Sequence, residues 1–229
     1  MIRNYINIDF VENLDAKSYY QVTPTVEIQG KETLKYLNKA IHEYNYIEFL
    51  EPFFANLPEH ITGKFRMSNK KIIDYWEIAP CYLQSFIAIV SQRFVDVLAE
   101  IGVSTDEYFL KEIDIINNKS GLAYYLFFVP VQHMDKVVFN ESVFIQHRGL
   151  DTARNINFEN EDELNSYQGD YCYLTHATLK FEDKIPDVVN FRNCVSVFFS
   201  ERLFQALENH EITGYRVSKY HTLKVITND

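Results

Sequence analysis

Two segments of this chain follow one plan. IAIVSQRFVDVLAEIGV (Ile87–Val103) and VFFSERLFQALENHEITGY (Val197–Tyr215) each run from a short apolar stretch into Ser-x-Arg and then into an apolar-striped segment. Ser91 and Ser200 stand where a helix N-cap stands, each hydroxyl placed to accept from the first unpaired amides. Phe94, Val95, Val97, Leu98 and Ile101 recur at helical spacing, and Gly102 suits the left-handed residue just past a helix end. One unbroken helix from Gln84 to Ile101 fits the same 3.6-residue period. The strand-then-helix reading is preferred because its counterpart, Val195–Phe199, is rich in β-formers. Aligned without gaps, Ser91 matches Ser200, Arg93 matches Arg202 and Leu98 matches Leu207, which suggests a duplicated strand–helix–strand unit. Two helices independently headed by serine would look the same.

The rest of the chain reads as strands with few helices. Short strands are expected at Tyr5–Ile8 and Tyr19–Val22, and KETLKYLNKAIHEY reads as a helix with Leu34, Leu37, Ala40, Ile41 and Tyr44 on one face. Ile61–Ser68, Ile73–Ala79 and Ser85–Val90 read as extended. YFLKEIDII, the turn Asn117–Gly121 and LAYYLFFV form a hairpin. Strands follow at Ser142–Gln146 and Tyr171–Phe181, with a polar loop around NFENEDELNSYQGD between them, and the chain closes with helix Glu201–Asn209 and strands at Tyr215–Val217 and Leu223–Ile226. The expectation is an α+β fold: mixed, largely antiparallel sheets with two Ser-capped helices packed on them. Residues 1–70 are expected as an N-terminal α/β extension and 71–229 as the main domain, closely packed together.

Composition narrows the function classes. A formal charge of −10 argues against a nonspecific nucleic-acid binder, which needs a basic field, and suits a basic partner or simple solubility. No apolar run is long enough to cross a membrane as a helix. MIRNYINIDFVENLDAKSYY does not read as a secretion signal, and three cysteines without a paired motif favour reduced thiols, so a cytoplasmic location is expected. There is no glycine-rich phosphate cradle and no HExxH, CxxC or GxSxG. Cys172 and His176 lie four apart and would share a strand face, but two ligands are too few for zinc, so no metal and no cofactor are expected.

Other residues invite chemistry without requiring it. His133, His147 and His176 with nearby acids could build a hydrolase or transferase site. Ser91 and Ser200 are better explained as caps than as nucleophiles. Glu159, Glu161, Asp162 and Glu163 form the densest acid run, either a solvated loop leading into a helix or a rim that steers a basic protein partner. Trp76 reads as a core anchor ahead of an interface anchor.

The tail FRNCVSVFFSERLFQALENHEITGYRV resembles immunity proteins of bacterial polymorphic toxin systems, a large group long listed as a domain of unknown function. The resemblance lies in Phe191, Arg192, Ser200, Glu201, Arg202, Leu203, Thr213 and Gly214, and upstream in Asp74 and Tyr75, then Val90, Ser91 and Arg93. It implies a bacterial, cytoplasmic, non-enzymatic protein that neutralises a cognate toxin encoded by an adjacent gene, with the matched residues defining the fold. A phage-associated or general interaction module is the third reading.

Overall fold

The computed structural model describes residues 2–10, 25–43, 57–65, 73–79, 87–148, 152–168, 172–182, 184–191, 197–217 and 222–227. Its strands form two bodies. One is a closed six-stranded barrel, in the order β2 (Thr25–Ile28), β3 (Thr62–Phe65), β6 (Phe109–Ile115), β7 (Tyr124–Phe128), β5 (Ile87–Ser91) and β4 (Tyr75–Ala79). The other is a nine-stranded sheet. Its path runs β10 (Thr152–Ile156), β9 (Val143–Arg148), β11 (Cys172–Phe181), β15 (Thr222–Thr227), β1 (Ile2–Phe10), β13 (Val197–Ser200), β12 (Val188–Phe191) and β8 (Val131–Gln132), and β14 (Tyr215–Val217) also pairs with β1. Pairing is antiparallel except β2–β4, β3–β6, β11–β15 and β12–β8. The fold is thus mixed α+β.

The expected boundary near residue 70 runs through both bodies. β2 and β3 precede it and complete the barrel with β4–β7, while β1 sits in the middle of the large sheet. Tyr19–Val22, residues 66–68 and residues 85–86 of the expected strands lie outside the described residues. The continuous helix considered for Gln84–Ile101 does not form, because Ile87–Ser91 pairs with both β4 and β7. Ala88, Ile89 and Val90 are all buried, as a strand covered on both faces requires.

Inside the barrel, Gly63 is needed for space. A Cβ there would sit 2.7 Å from Val26 Cγ1 and 3.1 Å from the Cδ1 atoms of Ile113 and Ile115. Trp76 is 3% exposed, stacks on Phe65 at 4.4 Å and donates its indole N–H to the Ile73 carbonyl at 2.7 Å, so it is a core anchor.

The helices are α1 (Lys31–Glu43), α2 (Gln92–Glu100), the short α3 (Glu161–Ser166) and α4 (Glu201–Asn209). α2 and α4 lie where barrel and sheet meet. Phe94 of α2 touches Tyr75 and Phe127 of the barrel and Phe199 of the sheet, at ring separations of 5.7, 5.4 and 6.1 Å. Leu203 and Leu207 of α4 are fully buried in the same core. Strand β13 shows period-two division directly: Val197 and Phe199 join this core, while Phe198 faces a second core with Phe144, Leu174, Phe191 and Val225. Burial of these side chains contributes roughly 1.5–3 kcal/mol each.

Candidate functional site

The two serine–arginine pairs singled out by the sequence sit at two junctions where a strand turns into a helix. At the first, Ser91 Oγ accepts from the Phe94 amide at 3.4 Å and donates to Asp74 Oδ1 at 2.6 Å. The Ser91 amide donates to the Asp74 carbonyl at 2.9 Å. Arg93 Nη1 lies 3.3 Å from Asp74 Oδ2. The amide and the hydroxyl of Thr213 donate to that same oxygen, at 3.0 and 3.2 Å. Asp74 itself is wholly buried. A buried carboxylate is tolerable only when paired and fully hydrogen-bonded, and here both oxygens are supplied.

The second junction repeats the arrangement. Ser200 Oγ accepts from the Leu203 amide at 3.2 Å and donates to Asp187 Oδ1 at 2.5 Å, and the Ser200 amide donates to the Asp187 carbonyl at 2.8 Å. Arg202 Nε donates to Asp187 Oδ1 at 3.2 Å, and Nη2 pairs with Oδ2 in a two-point fork. The hydrogen bonding it donates to Asp187 pushes the Arg202 pKa up, above a value that already keeps it charged. Glu107, also buried, takes the amides of Asp187 and Val188 on Oε2, at 2.6 and 3.1 Å. Its Oε1 faces Lys184 Nζ at 3.1 Å as an ion pair without directed hydrogen-bond geometry.

These contacts decide what the serines can do. Ser91 is 0% exposed and Ser200 2%, each hydroxyl is committed to a carboxylate and a helix amide, and no described imidazole meets either. Neither can reach a substrate. Around them, burial raises the pKa of the Tyr124 phenol, with Asp74 adding to the effect. Burial and the bond to Glu208, at 2.7 Å, raise Tyr215.

Phe191, Glu201 and Gly214, also part of the resemblance, have local structural roles. Phe191 is buried in β12, and Glu201 is the exposed first residue of α4, where its charge suits the helix N-terminus. Gly214 adopts φ +105°, and a Cβ on it would fall 2.2 Å from the Tyr75 carbonyl oxygen, so only glycine lets this segment lie against β4. Arg192 lies outside the described residues, as do Cys81 and Cys194.

The acid run divides. Glu163 Oε2 accepts from the Glu159 amide at 2.6 Å, and the Glu163 amide donates to Asn160 Oδ1 at 2.9 Å, so Glu163 helps start α3. Glu159 and Asp162 are exposed and Glu161 is half-buried.

The histidines are dispersed. His176 sits opposite Val143 on β9, and His147 lies four residues further along that strand, roughly 13 Å away at strand rise. His133 precedes a short turn at Met134–Lys136 that lies against β11 near Leu179, on the edge β9 also occupies. The expectation that Cys172 and His176 share a face fails. A bulge between Leu174 and His176 shifts the register, leaving Cys172 buried and His176 exposed. Among the described residues no three His, Cys, Asp or Glu side chains cluster as metal ligands would.

No family model matches the chain, and no curated protein is similar to it.

Proposed function

We propose that the chain is an immunity protein, one that binds a cognate bacterial toxin domain and blocks it by covering the toxin's active site or substrate channel, with no chemistry of its own. It works in the cytoplasm, and the toxin is encoded by an adjacent gene. The observation that carries this reading is how the residues of the resemblance are used. Ser200 and Arg202 bind a buried aspartate, while Thr213 and Gly214 close against Asp74 and Tyr75. The motif builds a rigid body and leaves function to the surface. A specific interface of this kind buries about 1,200–2,000 Å² in all.

The acidic balance supports a basic partner, whose encounter the exposed Glu159 and Asp162 would accelerate.

Co-expression with the C-terminal domain of the neighbouring gene product tests the proposal. Restored growth together with co-purification is expected. A toxic neighbour that the chain neither binds nor neutralises overturns it, and co-purification without rescue points to a general interaction module.

A further inference from the structure

We infer that residues 74–104 and 187–213 are two copies of one strand–strand–helix module related by a local twofold axis between α2 and α4, locked because the segment leaving each helix closes the buried aspartate of the other copy.

The correspondence goes well beyond three matching letters. Tyr75 pairs with Val90 just as Val188 pairs with Phe199, one residue before the serine in each case. Ser91 faces Tyr124 across the next strand, and Ser200 faces Tyr5. The strand order β4–β5–β7–β6 repeats as β12–β13–β1–β14, antiparallel throughout. Both helices end alike. Gly102 (φ +69°) and Glu211 (φ +53°) hold the same left-handed position, and Val103 N to Leu98 O, at 2.9 Å, matches Ile212 N to Leu207 O, at 3.0 Å.

The contacts between copies are reciprocal. Arg93 Nη2 donates to the His210 carbonyl at 3.0 Å, and Arg202 Nη1 donates to the Ile101 carbonyl at 3.0 Å. Ile101 and His210 are equivalent positions, so residue i of one copy meets residue j of the other and the reverse, which is the signature of a twofold relation. Each copy also receives help at its aspartate. Thr213, beyond α4, takes the amides of Asp74 and Tyr75 on its carbonyl at 3.0 Å each, and Glu107, beyond α2, takes those of Asp187 and Val188. A carbonyl does in one copy what a carboxylate does in the other. Two unrelated serine-headed helices would share the caps but not this exchange.

The test is a double-mutant cycle with hydrogen exchange on the full chain, independent of any toxin. Arg93→Lys and Arg202→Lys keep the charge beside each aspartate but lose the fork that reaches the opposite helix end. In R93K the amides of Glu211 and Ile212 exchange at least tenfold faster, and in R202K those of Gly102 and Val103 do. The unfolding constant of the double variant departs at least threefold from the product of the single effects. Additive effects, or exchange that quickens only in the helix carrying the substitution, overturn the inference. Should a lysine variant unfold, Glu107→Gln replaces it: faster exchange at Asp187 and Val188 is expected, and unchanged exchange there overturns the inference equally.

Discussion

Ser91 donates a hydrogen bond to Asp74 and accepts one from the Phe94 amide on the same oxygen, so one hydroxyl ties a buried charge to the start of a helix. Ser91→Ala therefore removes a cap and leaves a carboxylate oxygen short of a donor. The two losses together cost about 2–4 kcal/mol. Ser200→Ala costs a similar amount, because Ser200 holds Asp187 in the same way. Urea unfolding of the two variants checks this. A loss below about 0.5 kcal/mol would mean the bond to the aspartate contributes nothing.

Asp74→Ala strands Arg93, Ser91 and Thr213 together and is expected to destabilise the chain by about 3–5 kcal/mol. Arg93 is about a third exposed and can turn to water, which places the loss at the lower end of that range. Thermal unfolding against the wild type measures it.

The positive-φ residues separate conformational strain from collision. Gly102→Ala meets nothing within 4 Å and costs about 1 kcal/mol for its backbone alone. Gly214→Ala drives a Cβ into the Tyr75 carbonyl and costs several times more. Glu211→Gly relieves a non-glycine residue at φ +53° and stabilises by up to about 1 kcal/mol. The expected order of melting temperatures is E211G above wild type, then G102A, then G214A.

Alkaline pH reports on the tyrosines around the junctions. The folded-state pKa of Tyr215 is raised, first by burial and then by Glu208, and that of Tyr124 by burial. The unfolded chain ionises these phenols near pH 10, and the folded chain holds the proton beyond it. Their contribution is thus complete below about pH 10 and is lost as pH climbs towards the folded-state values. Urea midpoints from neutral pH upward should fall above pH 10, and Tyr215→Phe should flatten part of that fall.

Under the proposed function, Glu159→Lys with Asp162→Lys slows association with a basic toxin domain and weakens its salt dependence, while the melting temperature stays within about 1 °C. Stopped-flow binding at two ionic strengths distinguishes this from a solvated loop with no steering role.

Local features were legible in the chain and distant ones were not. The two serines, the stripe through Phe94, Leu98 and Leu207, and the turn at Asn117–Gly121 show their roles within a few residues. Asp74 and Asp187 lie 17 and 13 residues before their serines, and a single aspartate ahead of a strand carries no mark of burial. The recurrence of Asp, strand and Ser-x-Arg in both segments was the available signal. Strand β12 went unread because Val188–Phe191 is buried on both faces and shows no alternation. His176 misled because periodicity cannot register a bulge.

The place of β1 sets an order of assembly. Tyr5 pairs with Ser200 and Ile2 with Ile226, so a strand made early waits for partners synthesised roughly two hundred residues later. All six barrel strands lie between Thr25 and Phe128 and can join while translation continues. The barrel is thus the part that can ripen on the ribosome, and the large sheet, with its bare early strand exposed to stray pairing in the meantime, is the part most dependent on a chaperone's protection.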